Sequence, residues 1–102
     1  MSGSVLRVQA LKPLPGSGQT LVFSGTSAQA TNAVGDQTKW IKIASAQDCY
    51  IELGANPTAV AGTSMFMAGD KADRYFLISP GHKIAAIQVS TGGTLYITEM
   101  VT

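Results

Sequence analysis

The sequence has one cysteine, one histidine and one tryptophan, and only 13% of its 102 residues are charged. Each scarcity removes a class of function. A single cysteine, Cys49, forms no intrachain disulfide and offers no thiolate cluster. With one histidine beside it, zinc has no ligand set, and no other cofactor is implied. Seven Lys plus Arg against six Asp plus Glu leave a net charge of +1, too even a balance to imply nucleic acid or an anionic membrane as partner. No apolar run approaches the ~18 residues of a membrane-spanning helix. The start, Met1-Ser2-Gly3-Ser4-Val5-Leu6-Arg7, lacks the basic-then-apolar order of a Sec-type signal peptide. Also missing is any sustained i, i+3, i+4, i+7 apolar stripe, so no helix is expected.

What is present is alternation. At 10.6 kDa the chain is expected to form one domain, residues 1–102, burying about 64% of its unfolded surface. Period-2 segments recur with turn residues between them. Val5 to Leu11 is the first, and Lys12-Pro13-Leu14-Pro15-Gly16-Ser17-Gly18 is expected to break any ladder, since proline lacks a donor. Gln19 to Ser24 follows, with Leu21 and Phe23 on one face, then a short strand near Ser27 to Thr31. Lys39 to Ala44 places Ile41 and Ile43 inward and Trp40 with Lys42 outward. Asp48 to Leu53 places Cys49, Ile51 and Leu53 inward and Tyr50 with Glu52 outward. The link Ser45-Ala46-Gln47 is short enough for an antiparallel hairpin. Thr58 to Thr63 is a small-residue loop, Ser64 to Met67 a short strand, and Gly69 to Asp73 a charged turn. Arg74 to Ser79 carries Tyr75 and Leu77 against Phe76 and Ile78, which suggests burial on both sides. Pro80-Gly81 suits a type II turn, and Thr91-Gly92-Gly93 suits a tight hairpin between Lys83–Ser90 and Thr94–Val101. Short strands at roughly 8 to 12 residue spacing indicate an all-β fold: an antiparallel β-sandwich, jelly-roll-like, of residues 19–102 with residues 1–18 as an extended arm.

Catalysis needs converging polar groups, and these are hard to assemble here. His82 sits in Pro80-Gly81-His82-Lys83, where a solvent-facing turn residue outweighs a catalytic one. Cys49 occupies an inward strand position, where cysteine behaves as a small hydrophobe. Gly62-Thr63-Ser64-Met65-Phe66 fails the nucleophile-elbow pattern, and Gly16-Ser17-Gly18 lacks the third glycine and helix of a dinucleotide loop. Asp70 and Asp73 fall short of a calcium loop and read as solvated turn charges. Lys39, Trp40 and Lys42 form a small basic-aromatic group, which without further cations suits an interface better than a base-stacking platform.

The stretch Cys49-Tyr50-Ile51-Glu52-Leu53-Gly54-Ala55-Asn56-Pro57-Thr58-Ala59, the run Arg74 to Val89 and the ending Gly93-Thr94-Leu95-Tyr96-Ile97-Thr98-Glu99-Met100 together resemble small β-sandwich proteins of tailed-bacteriophage virions. The resemblance covers about residues 38–100 and carries no chemical signature. It implies a capsid decoration (cement) protein acting without catalysis, binding the major capsid protein or other virion proteins, and located in the virion, on the head, after synthesis in the host cytoplasm. Thin charge coverage and a modest core suggest a homo-oligomer, a trimer foremost. Trp40, Tyr50, Val5, Leu6, Val8 and Leu11 are the interface candidates, the arm being expected to lie on a neighbour. The alternative is a carbohydrate- or receptor-binding module of a phage tail or fibre, using Trp40 and Tyr50 against sugar rings.

Overall fold

A computed structural model of the chain describes residues 11–101. Among them the strands are β1 (Lys12–Pro13), β2 (Gln19–Phe23), β3 (Ala28–Gln29), β4 (Trp40–Ser45), β5 (Cys49–Gly54), β6 (Met65–Met67), β7 (Arg74–Leu77), β8 (Lys83–Gln88) and β9 (Gly93–Val101), with no helix. They pair antiparallel in two sheets. The first runs β1 and β2 side by side on β9, then β4, then β7; the second runs β3-β8-β5-β6. Taking β1 and β2 as one interrupted edge strand, the eight positions follow the orders 1-8-3-6 and 2-7-4-5. That is the double Greek-key winding of a jelly roll, so the all-β sandwich expected from the alternation is the observed fold.

The core forms because the inward phases of both sheets are apolar. Leu21, Phe23, Ile41, Ile43, Leu95 and Ile97 from the first sheet meet Cys49, Ile51, Met67, Ile84 and Ala86 from the second, with Val34 and Ile78 closing the layer. Burying each large side chain contributes about 1.5–3 kcal/mol.

Four local expectations are corrected. The hairpin expected at Ser45-Ala46-Gln47 does not form, because β4 pairs with β7 and β9 while β5 pairs with β6 and β8. The hairpin expected at Thr91-Gly92-Gly93 fails in the same way, since β8 and β9 lie in different sheets. Both links are corners between layers: Ser45 Oγ donates to the Gln47 carbonyl at 2.5 Å, and Ala46 N donates to the Thr94 carbonyl at 3.1 Å. A period of two tells which side chains face inward, and that is the same whether two strands share a sheet or face each other across the core.

Third, Lys12–Pro13 joins the ladder that this stretch was expected to break, opposite Val101 and Met100. Leu14 N bonds to the Glu99 carbonyl at 2.8 Å, so by alternation Pro13 points away from β9, where a missing N–H costs nothing. Ser17 Oγ then accepts the Glu99 N–H at 3.1 Å in place of a ladder bond. Fourth, Arg74–Leu77 is buried on one side only: Phe76 packs against the core, but Tyr75 and Leu77 are 51% and 65% exposed.

Two glycines are required by geometry. Gly81, at φ +82°, is the third residue of the expected type II turn, closed by His82 N donating to the Ser79 carbonyl at 3.1 Å. Gly69 lies against the Ser45–Asp48 corner, where a Cβ would fall 2.2 Å from the Gln47 carbonyl carbon.

Candidate interface on the bare sheet face

The two sheets treat their outer faces differently. On the second sheet Ala85 is outward, opposite Gln29 of β3 on one side and Glu52 of β5 on the other, yet it is fully buried. The loop between β5 and β6 covers it. That loop is tied to both flanking strands: Gln29 Nε2 donates to Asn56 Oδ1 at 2.7 Å and to the Pro57 carbonyl at 2.9 Å. Ala59 N donates to Ser27 Oγ at 2.8 Å, and Ser64 Oγ donates to Glu52 Oε1 at 2.7 Å. Within the loop, Pro57 and Ala59 are buried. Beyond the loop, Tyr50 packs edge-to-face on Phe66, with centroids 5.9 Å apart and planes at 71°.

The outer face of the first sheet carries no such loop among the described residues, and of its large apolar side chains only Met100, flanked by Pro13 and Trp40, is buried. Register sets its rows: Pro13, Met100, Trp40 and Leu77 across one end, then Thr98, Lys42 and Tyr75, then Thr20, Tyr96 and Ala44, and last Val22 with Thr94. Val22 is 71% and Tyr96 51% exposed, in addition to Tyr75 and Leu77. Lys42 is the one charged strand residue in these rows, and Asp73 lies 3.9 Å from its Nζ. Trp40 is half-buried and lines one of two neighbouring shallow grooves, of about 510 Å³, with Gln37, Lys39, Met100 and Val101. The other, of about 370 Å³, is lined by Lys39, Leu77, Ile78, Ser79 and Pro80.

Buried polar groups brace this end of the sandwich. Glu99 faces inward beside Ile41 and is buried. Its Oε1 accepts the Thr38 hydroxyl and, at 3.0 Å, the Gly35 N–H, holding the segment that carries Gln37 and Lys39. At the opposite end Arg74 donates to both carboxylate oxygens of Asp70 at 2.9 and 3.0 Å. That guanidinium, helped by the Ala72 N–H at 3.0 Å, holds the Asp70 carboxyl below the usual range.

The six interface candidates are dispersed. Trp40 lies on the bare face, while Tyr50 is outward on the other sheet, so the two do not form one patch. Leu11 is half-buried at the entry to β1; Val5, Leu6 and Val8 lie outside the described residues. Sequence reasoning left Val22, Tyr75, Leu77 and Tyr96 out of the interface. Their signal was legible in β2 and β9 as the outward phase, but Tyr75 and Leu77 were masked by apolar neighbours on both sides. His82 is half-buried in its turn. The Cys49 thiol is buried 3.7 Å from Ser45 Oγ, and its burial pushes the pKa up, away from the thiolate that reactivity needs. Among the described residues no three His, Cys, Asp or Glu converge as a metal site. The bare face is thus suited to apolar contact over a flat surface rather than to enclosing a small molecule. Comparison of the chain with protein-family models, with curated proteins and with solved structures gives no match.

Proposed function

We propose that this chain is a non-enzymatic structural protein of a tailed-phage virion, a decoration protein that binds between capsid subunits and holds them together. The observation that carries the reading is the uncovered outer face of the first sheet, with Val22, Tyr75, Leu77 and Tyr96 exposed around a single Lys42–Asp73 pair. A small domain that covers the middle of its second sheet with its own loop, with Phe66 exposed only at that sheet's β6 edge, and leaves four large apolar side chains of the first sheet in solvent is suited to being completed by neighbours. Repetition around a symmetry axis multiplies modest contacts into firm attachment. The contact is mechanical, and the partner is the major capsid protein, with further copies of the chain in a trimer.

The test is to mix the purified protein with heads that lack it. It should sediment with them and raise the temperature at which they release DNA, while a glycan array stays blank. Glycan binding without head binding supports the tail or fibre alternative and overturns this reading.

A further inference from the structure

We infer that the β7 edge is completed by residues 5–10 of a second copy of the chain, added as a strand. The acceptor is defined on the page. Among the described residues β7 pairs only with β4. Ile78 N bonds to the Lys39 carbonyl at 2.9 Å, so by antiparallel alternation Phe76 and Arg74 also turn toward β4, and Tyr75 and Leu77 turn their N–H and C=O groups away from it. The same two residues expose apolar side chains on the bare face. An open edge with this character invites a further strand.

The donor is defined by sequence and attachment. Val5-Leu6-Arg7-Val8-Gln9-Ala10 alternates, with Leu6, Val8 and Ala10 in one phase, and its length covers Arg74–Leu77. It precedes β1, which lies beyond β9 and β4 from β7 in the same sheet. A chain's own segment would have to cross about 19 Å, four strand spacings, to lie on the open side of its own β7. That crossing would consume about six residues, the whole of the alternating stretch, before any could pair. A second copy can present the stretch directly. The bare face alone, four strands by about six residues, projects about 400 Å², half of the ~800 Å² per partner of a standard interface; the added strand supplies the remainder.

The donor's attachment at β1 and the acceptor β7 lie on opposite edges of one sheet, so the contact is heterologous, giving a ring where the rotation closes and an open filament where it does not. The inference stands on the sheet edges and not on the virion reading. It is tested on the full chain by light scattering after gel filtration, with amide hydrogen exchange read at Tyr75 and Leu77. The wild type should be oligomeric with both amides slow. Leu6→Lys/Val8→Lys should be a monomer with the same melting transition and at least tenfold faster exchange at both. A monomeric wild type, an oligomeric variant, or exchange equal in the two overturns the inference. So does loss of the variant's melting transition, which would place the segment in the chain's own core. Failure to bind heads with the oligomer intact would count against the proposed function alone.

Discussion

The outer faces of the two sheets began from similar sequence and ended differently. On β8, Ile84-Ala85-Ala86-Ile87 is continuously apolar, and the outward Ala85 is buried because the loop of residues 55–64 lies over it. On β7, Tyr75-Phe76-Leu77-Ile78 is equally continuous, yet the outward Tyr75 and Leu77 stay in solvent. A strand that is apolar on both faces signals cover on both faces. Where the chain supplies the cover, the signal is satisfied within the monomer. Where it does not, the side chains stay exposed in the monomer, and the proposed neighbour is what would cover them.

The comparison breaks most sharply with a charge placed on each face. Ala85→Lys forces a long charged side chain into the fully packed space beneath the loop and should cost about 3 kcal/mol or more through overpacking and desolvation, read as a collapse of the melting transition. Ala44→Lys, at an outward position of the bare face, should stay within about 0.5 kcal/mol. Equal effects would erase the distinction between the faces.

A smaller effect is expected at the brace behind the Trp40 groove. Glu99→Ala leaves the Gly35 N–H and Thr38 hydroxyl without their acceptor and should cost about 1–3 kcal/mol, with faster amide exchange across residues 35–39. Glu99→Gln keeps an oxygen acceptor and should cost less. Smaller again is Leu77→Ser: chemical denaturation should move by under about 0.5 kcal/mol, while association with neighbours weakens.

The smallest effect concerns pH. The folded-state pKa of Asp70 is held below its ordinary value of 3.8, first by the Arg74 hydrogen bonds. The pair's contribution is therefore complete above about pH 4 and is lost as the pH falls below that value. Asp70→Asn should flatten the acid limb of a stability-against-pH curve below pH 4 and leave neutral pH nearly unchanged, because the pair is at the surface.

Strand positions and inward phases were legible: Ile41 and Ile43, Cys49 and Ile51 are buried, Leu53 packs partly buried against them, and Trp40 and Tyr50 are outward. Partnership was not legible, since alternation says nothing about which sheet a strand joins; Ser45–Gln47 and Thr91–Gly93 therefore passed for hairpins. The cover over Ala85 depends on side-chain bonds from Gln29, Ser27 and Ser64, which are remote in sequence from what they cover. The bare face was half legible. Trp40 stood out by its residue type, whereas Tyr75 and Leu77 were hidden by the same apolar continuity that makes them informative once the layers are known.

Hydroxyl-radical footprinting of the protein, assembled and as the monomeric Leu6→Lys/Val8→Lys variant, tests the central claim most directly. The account predicts that labelling of Trp40, Tyr75 and Tyr96 falls several-fold on assembly while Tyr50 and Phe66 are labelled alike in both. Protection of Tyr50 and Phe66, with the first sheet unchanged, would contradict it.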